Sequence, residues 1–530
     1  MSAMTIAIIT GSILSATAML DLIKVFFRDL MMLQQNSYRN ERYMKWFSQS
    51  GESTSIGRIF CCIGMLFLMV HHLPFFAGAI VASIITIWQF IILSTKRYKK
   101  PLVWTPRARR IFVTMVGLAA ITSIIPGILF GLRIFCIILM AILVVSPLLL
   151  LVANDILRPV EKAINKKYYD DAASILASMP DLKIIGITGS YGKTSTKHYL
   201  NRILQEHFST MMTPGSYNTT MGVIRTIREY LQPYNEVFIV EMGAKQPGDI
   251  KEICNLVNPT MGIITAVGEQ HLESFKSIEN VQHTKFELAD ALPADGLIVV
   301  NNDFPFAANR KVNNAECIHY GVANTENADY VASDIEFSPN GTDFTITGKG
   351  LDAPLRLHTN LVGECNVSNL MAAVVVALRL NVPKDKIRYA VGQIEQVEHR
   401  LNMKHTPGGV TIIDDAFNSN PQGSKMALDV LAMMTGGKRI VVTPGMIELG
   451  TLQKEANQEF GKQIARCADV AIIVGRYNAD AIMQGITEGE MPVANTHYVG
   501  SFAEAQKLLQ AMLQPGDTVL YENDLPDTFK

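Results

Sequence analysis

Residues 183–199 read Lys-Ile-Ile-Gly-Ile-Thr-Gly-Ser-Tyr-Gly-Lys-Thr-Ser-Thr-Lys-His-Tyr. Lys183 to Ile187 is a short, branched apolar run of the kind that fills the middle of a parallel sheet. Gly189 and Gly192 then let the chain turn its N–H groups inward into an anion cradle. Lys193 supplies a point charge for the β- and γ-phosphates, Thr194 a hydroxyl for Mg²⁺, and the following helix N-terminus its partial positive charge. Thr188, Gly189, Ser190, Tyr191, Gly192, Lys193, Thr194 and Ser195 are therefore the candidate nucleotide-binding residues. The full P-loop pattern asks for a further glycine where Ile187 stands, so the match is to a shorter variant, Thr-Gly-x-x-Gly-Lys-Thr-Ser. A Gly-Lys-Thr that only caps a helix has no need of the apolar strand in front of it. By itself the loop predicts ATP or GTP binding and no more.

At 530 residues the chain is too long for a single core. It is 48% hydrophobic and 18% charged, and the apolar excess lies almost wholly before residue 155. Apolar stretches at about 4–22, 59–76, 77–94, 111–131 and 134–153 each approach the roughly 20 residues that cross a bilayer. Five spans are expected; the soft boundary at His71, His72 and Pro74 leaves four as the alternative. The spans read as nearly free of charge. Arg39, Arg42 and Lys45 fall in one loop, Lys96, Arg97, Lys99, Lys100, Arg107, Arg109 and Arg110 in another, and Arg158, Lys162, Lys166 and Lys167 after the last span. The alternation predicts an integral protein of the cytoplasmic membrane, N-terminus outside and everything after residue 154 in the cytoplasm. The seven scattered cysteines, read as reduced thiols, agree. The basic loop from Lys96 to Arg110 is more economically a topology determinant than a lipid head-group site. No nucleic-acid partner is expected.

Beyond residue 155 a polar helical stretch leads to the loop, and short apolar strands then alternate with helices: Val237 to Val240, Gly262 to Ala266, Leu297 to Val300. A second series follows at Val410 to Ile413, Arg439 to Thr443, Val470 to Val474 and Thr518 to Tyr521. The expected fold is thus an α-helical membrane domain (1–154), a central P-loop α/β ATPase domain (155–397) and a C-terminal Rossmann-like α/β domain (398–530). Glu241 closes the strand beside the P-loop strand, where a nucleotide's Mg²⁺ needs an oxygen ligand. His271 and Glu273 follow the next strand and Lys285 the helix after it; that position favours a site role for His271 over a structural one.

Taken together, Thr-Gly-Ser-Tyr-Gly-Lys-Thr-Ser, Tyr-Asn-Thr-Thr-Met-Gly-Val (217–223), Val-Glu-Met-Gly-Ala (240–244), His-Leu-Glu (271–273), Gly-Glu-Cys-Asn-Val-Ser-Asn (363–369), His-Arg-Leu (399–401), Asp-Asp-Ala-Phe-Asn-Ser-Asn-Pro (414–421) and Gly-Met-Ile-Glu-Leu-Gly (445–450) come in an order that resembles the Mur ligases. The nearest branch is MurF, which joins D-alanyl-D-alanine to the UDP-muramoyl tripeptide. The resemblance covers roughly residues 180–525. It implies an ATP-dependent acid–amino-acid ligase of cell-wall synthesis: a carboxylate attacks the γ-phosphate, and an amine attacks the resulting acyl phosphate. It further implies catalytic roles for Lys193, His271, Lys285 and Arg400. Two Mg²⁺ would be held through Thr194, Glu241 and His271, with Lys285, possible site of a carbamate, as a further ligand. Asn366 and Asn369 would lie on the adenine side, and Arg400 and Asp415 would bring the C-terminal domain onto phosphates and ribose. The partners implied are a UDP-linked or lipid-linked carboxylate acceptor and an amino-acid or dipeptide amine.

Three departures stand out. Cys365 replaces a histidine; Tyr-Glu-Asn-Asp-Leu-Pro-Asp (521–527) stands where a Lys-Gly-Ser stretch is usual; and membrane spans replace the domain that holds the UDP-sugar. A ligase for another envelope polymer, of the poly-γ-glutamate type, is the alternative within the enzyme class. An ATPase subunit coupled to transport would need charges along a membrane pathway and leaves Arg400, Asp415 and the second α/β domain without a task. A folate-type glutamate ligase would not call for five spans.

Overall fold

The computed structural model describes residues 2–70, 72–96, 98–338, 341–417 and 419–525. His71, Arg97, Asn418, Pro526 and Asp527, which enter the sequence argument, lie outside the described residues. The chain divides into two units, 1–166 with 525–530, and 167–524.

In the first unit five described helical stretches are long and apolar enough to cross a membrane: Ala3–Gln35, Glu52–Met69, Phe75–Thr95, Pro106–Phe130 and Leu132–Ala177. Five is the number expected. The helices are α1 (Ala3–Gln35), α2 (Asn40–Gln49), α3 (Ile56–Met69), α4 (Phe75–Thr95), α5 (Pro106–Phe130) and α6 (Leu132–Ala177). Ile84, Leu66, Ile91, Ile128 and Leu129 point outward, as faces meant for lipid would, while Leu14, Phe26, Met115 and Met140 fill the interior. Two features differ from the sequence reading. The last span and the polar stretch after it form one helix, α6. More consequentially, the spans are not nearly free of charge. Helix α1 does not end near residue 22 but runs on to Gln35, so Asp21, Arg28 and Asp29 lie along it, buried. Arg28 pairs with Asp29 (3.0 Å) and Glu52 (3.1 Å), Arg58 of α3 approaches Asp29 (3.5 Å), and Ser146 of α6 donates to Asp29 (2.5 Å). A hydropathy average hides such charges because their apolar neighbours outweigh them; Arg28, Asp29 and Arg58 pair inside the bundle, as charges set among apolar helices do, whereas both Asp21 oxygens are buried with no hydrogen-bond partner among the described residues. Cations of the basic loop also find partners within this unit: Arg110 is bidentate to Glu161 (2.7 and 2.9 Å), Lys96 reaches Glu52 (3.5 Å), and Arg107 lies over the Tyr38 ring.

The second unit holds two sheets. The first has the order β2-β3-β1-β4-β5-β6-β7-β8-β9: β1 Lys183–Thr188, β2 Thr210–Met212, β3 Val237–Glu241, β4 Met261–Ile264, β5 Leu297–Asn301, β6 Glu316–Gly321, β7 Tyr330–Ser338, β8 Gly341–Gly348 and β9 Leu355–Thr359. The strands β1 to β6 run parallel, with β1 between β3 and β4. Residues 183–187 thus lie in the middle of the sheet, as their apolar run predicts. The register sets Ile187 beside Glu241. The antiparallel extension β7-β8-β9 escaped the sequence reading because its strands alternate; Leu355–Thr359 runs buried, exposed, buried, exposed, buried, the pattern of a sheet wet on one face rather than a continuous apolar run. The second sheet has the order β10-β11-β15-β12-β13-β14, from β10 Asn402–His405, β11 Thr411–Asp415, β12 Arg439–Thr443, β13 Val470–Val474, β14 Thr496–Val499 and β15 Thr518–Glu522. Only β10 is antiparallel.

Candidate active site

The loop after β1 opens into helix α7 (Lys193–Leu204) and is fastened to the segments that follow the neighbouring strands. The Thr188 hydroxyl donates to the Met242 carbonyl (2.9 Å), Ser190 N–H to Ala266 (2.8 Å), the Ser190 hydroxyl to Gly268 (3.0 Å) and the Tyr191 hydroxyl to Glu269 (3.3 Å). Ser195 is buried on α7. Gly192 sits at φ +77°, and a Cβ there would come within 2.2 Å of Asn369 Oδ1, so only glycine lets Asn369 close against the loop. Lys193 Nζ donates to the carbonyls of Gly189 (2.5 Å) and Ser190 (3.3 Å). Burial pulls its ammonium down to about 8, opposed by the Glu241 charge and reinforced by that of Arg400.

Glu241 is the hub of the cluster. Its Oε1 accepts from the Thr194 hydroxyl (3.2 Å) and the Asn218 amide (2.9 Å), and its Oε2 from Lys197 Nζ (2.9 Å). Lys197 also donates to the Gly215 carbonyl (2.5 Å). Burial works against ionisation of Glu241, but the charges of Lys197 and Lys193 and the Asn218 amide hold its carboxyl below the ordinary glutamate range. Neither Lys197 nor Asn218 was singled out from sequence. The signal for Lys197 was present, a second lysine one helical turn after Lys193 and hence on the same face of α7.

Two glycines facing the same helix bring Lys285 to this edge of the sheet. A Cβ on Gly186 of β1 or Gly262 of β4 would meet the Leu288 side chain or Ile298 at 2.6 Å, so their absence lets the helix Ile278–Asp290 lie close, with Lys285 one turn before Leu288. Lys285 is buried. Desolvation, with the Lys193 charge added, takes its amine well below the ordinary lysine range, against Asp249 and Glu287. His271 adopts a left-handed backbone (φ +52°) and its Nδ1 pairs with Glu448 Oε2; Glu273 N–H also reaches the Glu448 carbonyl (3.3 Å). Burial lowers the His271 imidazole and Glu448 opposes it. The Gly-Met-Ile-Glu-Leu-Gly stretch thus supplies a contact to His271 that its motif alone did not disclose. Among the described residues no three His, Cys, Asp or Glu side chains form a metal cage. The Glu241 carboxylate and the Thr194 hydroxyl, 3.2 Å apart, are oxygen donors that fit a Mg²⁺ taking its remaining oxygens from phosphate and water, whereas the Lys285 amine could contribute to a metal site only once converted to a carbamate.

Arg400 lies on the linker to the second sheet and stacks on Phe417, 4.2 Å from the ring centroid. His399 and Leu401, on either side, have φ of +58° and +49°, each costing about 1–2 kcal/mol for a side-chain-bearing residue. Asp415 holds this bend through Leu401 N–H (3.1 Å). Thr194, His198, Arg202, Glu398, Arg400 and Phe417 are among the residues around a cavity of about 650 Å³, within the usual size of a small-molecule site. Asn369 accepts from Thr196 (3.3 Å). Asn366 does not reach this cavity wall; its amide accepts from the Tyr199 hydroxyl (2.8 Å) and donates to Val362 (2.9 Å).

Comparison with known proteins decides the family. Residues 187–377 match the Mur ligase middle domain and 399–521 the Mur ligase, glutamate ligase domain. The chain belongs to the Mur ligase family. It is 30% identical over 346 residues to the UDP-N-acetylmuramoyl-tripeptide--D-alanyl-D-alanine ligase of Bacillus subtilis (strain 168), covering 64% of this chain and 72% of that protein. A crystal structure of MurF from Acinetobacter baumannii superposes with a TM-score of 0.60 at 26% identity, covering 67% of this chain and 76% of that one. MurF ligase from Thermotoga maritima, in complex with ADP, shares the fold at 24% identity and TM-score 0.60, over 68% and 80% of the two chains. This Mur ligase is accordingly a MurF-like, ATP-dependent acid–amino-acid ligase of peptidoglycan synthesis.

Proposed function

We propose that this chain is a membrane-embedded ligase that forms an amide between an envelope-precursor carboxylate and an amine, with D-alanyl-D-alanine as the first amine to test. The observation that carries the reading is the cluster of Lys193, Thr194 and Glu241 at the end of β1 and β3, with His271 and Lys285 beside it. Lys193 and the α7 N-terminus would hold the β- and γ-phosphates. Thr194 and Glu241 would hold one Mg²⁺, and His271 and Lys285 a second; bound Mg²⁺ would offset charge developing on the transferred phosphoryl group. The acceptor carboxylate would attack that group to give an acyl phosphate, and the amine would then displace phosphate from the carbonyl. Arg400 and Asp415 would contact phosphates and ribose, Asn369 the nucleotide from the loop side, with Asn366 supporting it through Tyr199. The limits proposed for the domains are 1–154, 155–397 and 398–530.

The five apolar helices stand where the family match has not begun, and we propose that they present a lipid-linked acceptor to the ATPase domain, the UDP-linked form being the alternative. Purified full-length protein in detergent, given ATP, D-alanyl-D-alanine and either acceptor, should release ADP only when an acceptor is present and yield a product heavier by one dipeptide. Release without any acceptor, or a product lacking the amine, removes the ligase reading. A preference for the UDP-linked acceptor removes the lipid role.

Burial favours the neutral amine of Lys285, the form that adds CO₂, with loss of a proton, to give a carbamate. Lys285→Ala should therefore be inactive and regain part of its turnover with acetate or another small carboxylate able to fill the vacated position; a density map showing an unmodified Lys285 pointing away from the nucleotide would end the carbamate proposal. For topology, a cysteine placed at exposed Arg109 should react with an impermeant maleimide only in permeabilised cells. Labelling of intact cells would reverse the proposed orientation.

A further inference from the structure

Strands β11 and β15 are parallel neighbours whose register sets Asp415 beside Glu522. Like charges directly across a strand pair repel, and Glu522 is 0% exposed. Its Oε1 accepts from the hydroxyls of Ser419 (2.6 Å) and Ser424 (2.9 Å). No donor group among the described residues reaches its Oε2, and the neighbour in hydrogen-bonding position is the Asp415 carboxyl. The titratable groups around the pair are Arg400 from the linker, Asp414 on β11, and the Cys365 thiol at the head of the helix Glu364–Arg379. The Arg400 charge acts on Asp415, which leaves a doubly ionised pair with an uncompensated buried oxygen on Glu522, an arrangement that burial penalises heavily.

We propose that Glu522 is a further positioning residue of the nucleotide site: it keeps a proton on Oε2 and donates it to Asp415, which in turn holds Arg400 in place. The inference rests on the assignment of Arg400 and Asp415 to the nucleotide. Asp415 Oδ1 accepts from Leu401 N–H, so it restrains the left-handed residue that follows Arg400, while His399 before it is held by Asp414; such a bend relaxes unless the surroundings hold it. The contacts run from Ser419 and Ser424 through Glu522 and Asp415 to Leu401. Burial and the Asp415 charge act in the same direction, taking the Glu522 carboxyl well above the ordinary glutamate range. Loss of the shared proton as pH rises sets two carboxylates against each other and frees the Arg400 segment, so nucleotide binding weakens on the alkaline side.

The test begins with nucleotide-free, full-length protein. The infrared difference between wild type and Glu522→Gln at neutral pH should contain a protonated-carboxyl C=O band that the variant lacks; no such band overturns the proposal. Glu522→Gln, whose amide still donates, should bind the ATP analogue AMP-PNP within about threefold of wild type, whereas Glu522→Ala should bind about tenfold more weakly. Glu522→Ala should cost nothing further in an Arg400→Ala background, because both remove the same contact. Additive losses overturn the positioning role. Wild-type affinity in Arg400→Ala would overturn it together with the nucleotide assignment, and the infrared band would then stand as a separate measure of the shared proton.

Discussion

Lys193→Ala should lower acceptor-dependent ADP release about a thousandfold, with insertion and folding intact. The magnitude follows from removing a preorganised cation aimed at charge that develops in phosphoryl transfer, inside a site that excludes water. The fold should survive because, among the described residues, the hydrogen bonds of the Lys193 ammonium go to carbonyls of its own loop, Gly189 and Ser190. Its ammonium lies at about 8, so the sign of the pH effect is fixed. In the free enzyme the cation is present below that pH and is lost above it, and kcat/KM for ATP should fall on the alkaline side. The alanine variant should lose the part of that limb that titrates near 8, the part that comes from the Glu522–Asp415 pair remaining. Near-normal turnover in Lys193→Ala, or an unchanged alkaline limb, would remove Lys193 from the site.

Glu241→Ala should abolish turnover and also destabilise the second unit by about 3–5 kcal/mol, the cost of leaving a buried charge without its partner. The motif alone puts Glu241 on phosphate and metal rather than in the core, which predicts a folded, inactive protein. The structure corrects that expectation, because the Glu241 and Lys197 side chains are 1% and 0% exposed and 2.9 Å apart. Denaturant unfolding of the purified protein checks the point. Replacing both residues, Lys197→Met with Glu241→Gln, should recover much of the stability and none of the activity. A Glu241→Ala protein as stable as wild type would mean that Lys197 is not charged or not dependent on this pair.

The sequence by itself determined the elements whose signal is local. The run 183–187 had to be a central strand because it is apolar on both faces; the loop after it had to bend inward because of its glycines; and five apolar stretches of bilayer length gave five helices. The ordered motifs from Gly189 to Gly450 carried the family. Tertiary structure alone decided which distant groups meet. Asp21, Arg28, Asp29 and Arg58 have no role in the sequence until α1 is seen to continue through the first three and the bundle to pair Arg28, Asp29 and Arg58. Lys197 became part of the site because α7 lies against β3, Glu448 because the second sheet brings its loop to His271, and Glu522 because β15 lies beside β11 in a register that no local pattern specifies. Hydrophobic periodicity is a property of neighbouring residues along the chain, whereas ion pairs, shared protons and metal ligand sets depend on distances between strands and helices. Those distances are fixed only when the sheets close and water is excluded.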